Sequence, residues 1–415
     1  MSRASFRCWL PALLWMAVIY TAIPFIRRLR EFFVARWPAE LIGYAVMAVV
    51  VAGTVAATAI LYRRGARVRF ADTAWLLAVA TVFVVWTRHL MGQPEEAVHF
   101  LEYGLLGALL HHALRARIPD ATVYAATILA GAMVGTVDEI IQWMVPGRFF
   151  DFRDIVLNTG AVALAQVAIW RLAPHAAAPV SRSSLQLVCR LAAAAVLLLT
   201  LCLAATPQRI ERIAPRLPGL ATTGQDTGAI CEYGYRHAVD AFTEFRSRLT
   251  TEELAKADTA RAPEVAAMVD ASRGAYGEFL ETVSPADDPF AYEVRVHLFS
   301  RDRNLGETRQ LEEGSEAYRE HMTIAYRENL ILERFFGQTL AHSSFAWKPQ
   351  LRARVESEQN ASAHVVSRVG AHLVTAVSEG TLRAVMLALS GALLACSLCL
   401  GRRSFSSALS ARPRE

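Results

Sequence analysis

Cysteine is scarce where it could brace a fold. Of the six in the chain, Cys8, Cys189, Cys202, Cys396 and Cys399 lie in or beside apolar runs. Only Cys231 falls in a polar stretch, so an internal disulfide in a water-soluble part is excluded. The cysteines show no metal-ligand spacing, and neither do His237, His297 and His321. No nucleophile elbow surrounds His342-Ser343-Ser344, which removes the basis for a hydrolase triad. The apolar run from Trp9 to Phe25 follows Arg3 and Arg7 as a secretory signal would. It lacks a small-residue cleavage site and more apolar runs come after it, so it reads as a retained anchor. No internal repeat is visible.

What is present is a mixture. The 415 residues are 54% hydrophobic and 20% charged, with mean hydropathy +0.28, too apolar for an ordinary soluble enzyme and too charged for a pure membrane bundle. A formal charge of +5 raises the question of nucleic acid. The excess arginine, however, lies in short segments between apolar runs, where it is a topogenic signal, and no nucleic-acid partner is expected.

Windows long enough to cross a bilayer predict spans at 9–26, 41–62, 73–88, 97–114, 121–145, 155–172, 187–205 and 382–400. The expected fold class is an all-α membrane protein, a polytopic bundle of about eight transmembrane helices with an inserted, mainly helical soluble domain carrying a small β element. The expected parts are a membrane domain at 1–172, an additional transmembrane helix at 173–205, an extracytoplasmic domain at 206–381, and a last helix with a basic tail at 382–415. Arginines of the short segments divide about two to one between alternate sides. The richer set includes Arg3, Arg7, Arg63, Arg64, Arg67, Arg69, Arg402, Arg403, Arg412 and Arg414; the poorer includes Arg27, Arg28, Arg88 and Arg148. The expected location is therefore a cell membrane, with both termini cytoplasmic. In the inserted domain, helical spacing is read at 238–249, 263–283, 318–340 and 363–377, period-two alternation at 291–299, and a linker at 207–227.

An ionisable side chain at the centre of a span costs roughly 2.5 to 3.5 kcal/mol on insertion scales, so a cluster of them needs a reason. Three segments supply one. His99, Glu102 and Tyr103 share a helix face at three- and four-residue spacing. Asp138, Glu139 and Gln142 do the same near the end of the fifth span, and Arg148, Asp151, Asp154 and Asn158 cross into the sixth. The fourth span starts, the fifth ends and the sixth starts on one side, so these groups are expected to converge at one membrane face.

The same segments, HFLEYGLLG at 99–107, DEIIQ at 138–142 and PGRFFDFRDIVLNTG at 146–160, resemble the VanZ-like membrane domain, a likeness that covers about residues 10–172. This chain has Glu95 and Glu96 where members often carry a Lys before the His, and Asp151 where a small polar residue such as Ser is common. The resemblance implies a cell-envelope role; the founding member of the family is associated with resistance to the glycopeptide teicoplanin. It names no reaction and no cofactor.

Two readings of the cluster stay open. In one, it is a site for a lipid-linked or glycan head group, with His99, Glu139 and Asp138 as the catalytic set and Tyr103, Gln142, Arg148, Asp154 and Asn158 binding the head group or knitting the network. Asp138 and Asp154 would then be candidates for a divalent cation. In the other, the cluster is an interhelical network in a non-catalytic scaffold whose soluble domain binds an envelope protein. Partners expected on these readings are the bilayer, a lipid-linked envelope substrate and an envelope protein. Gly131 and Gly135 are expected to form a helix-packing face, and His111 and His112 to lie at an interface.

Overall fold

The computed structural model describes residues 3–38, 40–63, 70–89, 94–145, 148, 150–172, 178–216 and 230–410. Arg64, Arg67, Arg69, Arg412 and Arg414 of the topogenic set, and most of the expected linker, lie outside them. The chain divides into two compact units, residues 1–202 with 383–415, and residues 203–382.

The first unit contains α1 (Arg3–Val34), α2 (Glu40–Arg63), α3 (Phe70–His89), α4 (Pro94–Arg115), α5 (Thr122–Trp143) and α6 (Phe152–Leu172), with α7 (Arg182–Ala204) and α15 (Glu379–Ser410) running to its boundaries. Among the described residues, seven helices are long and apolar enough to cross a membrane: α1, α2, α3, α5, α6, α7 and α15. The chain is a membrane-spanning helical protein. Their outward residues are apolar, among them Leu14, Val55, Leu77, Val156, Leu201 and Leu398, as a lipid-facing surface demands.

The fourth expected span, α4, is helical over 22 residues but is too polar to count among the seven. Its polarity is tolerated because it packs against α1, α2, α5 and α6. Ala97, Phe100, Tyr103, Leu106, Leu110 and Ala113 recur at helical spacing and are buried. Glycines permit close approach at the seams. A Cβ at Gly131 would sit 2.7 and 2.9 Å from the two methyls of Val162, and one at Gly107 would lie 3.2 Å from the Val162 Cα. Small residues serve here as they do in membrane bundles generally, letting backbones pack without a large side chain between them.

The second unit begins with α8 (Pro207–Ile213) and a 3-10 turn (Ala214–Arg216). These replace the start of the expected linker because Pro207 at the first helical turn needs no hydrogen-bonded N–H. Next come β1 (Tyr235–Ala238), β2 (Thr243–Ser247), α9 (Thr251–Ala271), α10 (Tyr276–Thr282), α11 (Pro289–Glu307), α12 (Glu316–Phe335), α13 (Gly337–His342), α14 (Pro349–Glu358) and β3 (Val365–Val366). The sheet has the order β1-β2-β3, with β1 antiparallel and β3 parallel to β2. Its core joins Phe245 of β2 to Val265, Phe290, Leu298, Ile331 and Phe336.

Three local expectations are overturned. Residues 291–299 alternate like a strand but lie in α11. Asp288 caps that helix through Ala291 N and Pro289 occupies its first turn. The alternation arises because Glu293, Arg295 and His297, each bonded to a polar partner, are buried alongside the apolar Val294 and Leu298. Residues 238–249, expected as helix, hold β2. Residues 363–377, also expected as helix, hold β3 and turns, since Val365 N and Ser367 N donate to Phe242 O and Glu244 O. Gly370 has φ +67°, and a Cβ there would meet Arg246 O at 2.4 Å, so the chain is bent where a helix would have to continue.

Candidate functional site

The polar residues of α4, α5 and the start of α6 meet in the first unit. Asp138 and Glu139 are fully buried and Gln142 is 2% exposed. Spacings of three and four residues put all three on one side of α5. Gln142 is the joint. Its Nε2 donates to Glu139 Oε1 at 2.9 Å and to Asp138 Oδ2 at 3.3 Å, and its Oε1 accepts from Arg148 Nη2. An amide can do this because it carries both an acceptor and two donors, so one neutral side chain ties a cation to two acids. Among the described residues, Arg148 makes no ion pair with Glu139 or Asp154; the partner that argument from charge assigns to it is supplied by Gln142.

The second oxygen of Glu139 accepts from Asp151 N at 3.0 Å. Asp151 precedes α6, and its Oδ1 accepts from Arg153 N at 2.7 Å, the geometry of an N-cap. Asp and Ser are both favoured caps, which gives a structural reason for either residue at this position. Asp154 sits in the first turn of α6, within electrostatic reach of Asp151, His99 and Arg148. Asn158, one turn further on, is buried, and a Cβ on Gly135 would lie 3.2 Å from its Cβ and 3.5 Å from Tyr103 Cε1. The bare Gly135 backbone thus lets α4, α5 and α6 bring Tyr103 and Asn158 together.

Three polar atoms in this cluster are buried without a well-aligned hydrogen bond, His99 Nδ1, Tyr103 Oη and Asp138 Oδ1, and the Tyr103 phenol and the Asp138 carboxylate lie within interaction distance of each other. His99 Nδ1 lies 3.3 Å from Glu102 Oε2 but without hydrogen-bond alignment. Buried polar atoms without a well-aligned bond are rare in native interiors, and three lie together here. No group of three or more His, Cys, Asp or Glu among the described residues is arranged to hold a metal ion. Asp138 and Asp154 therefore do not form such a set with a third ligand.

Two contributors lie outside the sequence motifs. Tyr20 of α1 donates to Val134 O at 3.1 Å and Trp15 donates to Glu102 O at 3.0 Å. Nothing in the local sequence of α1 signals this; only its packing on α4 and α5 does. His111 is buried with Nδ1 2.8 Å from Gln166 Oε1, while His112 is exposed. Gln166 Nε2 in turn donates to Gly107 O at 3.0 Å, linking α6 to α4.

In the second unit, His342, Ser343 and Ser344 bond separately to Gln338 O, Leu340 O and Asp270 Oδ1. His297 is buried against Glu328 at 2.6 Å, and Ser300 and Ser367 also donate to Glu328. Both serines are on the acid and not on the imidazole, so the set ties α11, α12 and the β3 segment together and is not a nucleophile triad.

Residues 9–173 match the model of the VanZ/LLP1 family. No curated protein and no solved structure matches the chain.

Proposed function

We propose, for a chain whose residues 9–173 are a VanZ-like domain, that the α4–α5–α6 cluster binds the polar head group of a lipid-linked or glycan envelope component. The observation that carries the reading is the set of buried polar atoms without a well-aligned hydrogen bond, His99 Nδ1 and the neighbouring Tyr103 phenol and Asp138 carboxylate, beside the Arg148–Gln142 pair. They offer a bound head group at least one donor, the phenol, and one acceptor, the carboxylate, while the guanidinium supplies positive charge for a phosphate or other anion. His99 and Glu139 are the groups available for proton transfer if the bound component is modified. On this reading the cluster lies at the outer face, both termini are cytoplasmic and residues 206–381 are extracytoplasmic, in keeping with the arginine distribution.

The scaffold reading is favoured by one observation: Gln142 already joins Arg148 to both acids, as a purely structural network would. The two are separated by complementation. A strain lacking the protein is profiled for lipids and muropeptides, then supplied with the parent, Tyr103→Phe, Asp138→Asn or His99→Ala. The head-group reading expects variants that reach the membrane at parental levels yet leave the altered profile uncorrected. Full correction by all three would sink it in favour of the scaffold.

A further inference from the structure

The second unit holds a cleft that the reading above leaves unused. Arg273, Tyr276, Arg295, Phe299, Asp302, Arg303 and Phe345 line a cavity of about 460 Å³, within the usual size range of small-molecule sites. One wall is aromatic: Tyr276 and Phe299 stack with ring centroids 3.9 Å apart and planes 4° from parallel. Phe345 stands beside them, with the Arg273 guanidinium 4.7 Å from its centroid.

Among the residues lining the cleft the one acid, Asp302, is already engaged by Arg301 Nε at 2.7 Å, and Arg303 has Glu307 one turn away at 3.9 Å, which leaves Arg273 and Arg295 without a carboxylate. Arg295 is only 5% exposed, and among the described residues no carboxylate lies within ion-pair distance of it. Its hydrogen bonds go to one residue, from Nε to Ser272 Oγ at 2.9 Å and from Nη2 to Ser272 O at 3.2 Å. Burial pulls its guanidinium below the ordinary arginine range, an effect only partly offset by Tyr276 and Asp302. A buried cation held by neutral groups beside a cavity is a site wanting an anion. The guanidinium also lies 4.9 Å from the Tyr276 centroid and 5.9 Å from that of Phe345, so charge and aromatic surface coincide. Packing of the 343–347 segment explains the bond from Arg273 to Ser344 O at 2.8 Å. It does not explain why Arg295 lacks an acid.

We propose that this cleft binds a small aromatic anion, its ring against Tyr276, Phe299 and Phe345 and its carboxylate or phosphate on Arg295, with Arg273 and Arg303 at the rim. Guanidinium groups match either oxyanion in geometry, and the aromatic wall selects a planar body over a bare ion.

The test is ligand-observed NMR on the full-length protein in lipid nanodiscs, with phenyl phosphate, benzoate, phenol and inorganic phosphate as probes. Phenyl phosphate, benzoate or both bind saturably, and whichever anion binds more tightly identifies the oxyanion. Phenol and inorganic phosphate bind at least about tenfold more weakly than the better of the two. Arg273→Gln and Arg303→Gln, both at exposed positions, each weaken binding by about tenfold, the effect of losing one charged hydrogen bond. Phe345→Ala weakens both aromatic anions. Failure of both aromatic anions to saturate, phenol binding as tightly as they do, or retention of parental affinity in the Arg273→Gln/Arg303→Gln double variant would overturn the assignment.

Discussion

Replacing Gln142 with leucine tests whether one amide holds the cluster together. Three groups lose a partner at once: the Arg148 guanidinium, Glu139 Oε1 and Asp138 Oδ2. Asp138 is then left with only the poorly aligned Tyr103 phenol as a neighbouring donor. Hydrogen bonds inside membrane bundles average ~0.6 kcal/mol, which sets a floor of about 2 kcal/mol for three. Buried groups left unpaired cost about 1–3 kcal/mol each in soluble proteins, and the half-buried Arg148 contributes the least of the three, so the expected loss is about 2–4 kcal/mol. Leucine adds little to offset this, since the site is enclosed by polar side chains. Gln142→Glu keeps an acceptor for Arg148 but loses both donations and places a third acid beside two others, so it is not expected to rescue. The assay is reversible unfolding in mixed micelles on titration with dodecyl sulfate, followed by tryptophan emission. Every tryptophan except Trp347 lies in the first unit, so a Trp347→Phe background reports that unit alone. A Gln142→Leu variant within about 0.5 kcal/mol of the parent would refute the idea that Gln142 is the joint.

Two further outcomes are expected. Gly131→Ala pushes a methyl to within 2.7 Å of Val162 Cγ2, an overpacking worth about 1–3 kcal/mol. Adding Val162→Ala should recover part of it, and strictly additive losses in the same unfolding assay would show that α5 and α6 do not meet there. The connection between α4 and α5 should respond to acid through Asp120. Burial disfavours its charge, but hydrogen bonds from Thr122 Oγ1 and Ser181 N among others outweigh this and hold the carboxyl at about 2. A folded value below the unfolded one stabilises the fold above the unfolded value, and this contribution disappears as pH falls from about 4 towards 2. Asp120→Asn should flatten that part of a pH–stability profile, and an unchanged acid slope would count against the role.

The membrane character, the positions of the spans and the three motifs are properties of local sequence. An apolar run long enough to cross a bilayer announces itself because no water is present there to satisfy a backbone that is not helical. The clustering of His99, Tyr103, Asp138, Glu139, Gln142 and Asn158 followed from helix periodicity and the up-and-down order of the helices, which fix the helix face and the end of the bundle for each residue. Tertiary structure decided what periodicity does not encode. It chose Gln142 over a carboxylate as the partner of Arg148, made Asp151 a cap, and recruited Tyr20 and Trp15 from a helix with no motif. In the second unit it also decided secondary structure. Residues 291–299 are helical although their pattern alternates, because Glu293, Arg295 and His297 are buried on Ser247, Ser272 and Glu328. A hydropathy pattern treats such residues as outward-facing; only their partners, 23 to 46 positions away in sequence, make burial affordable.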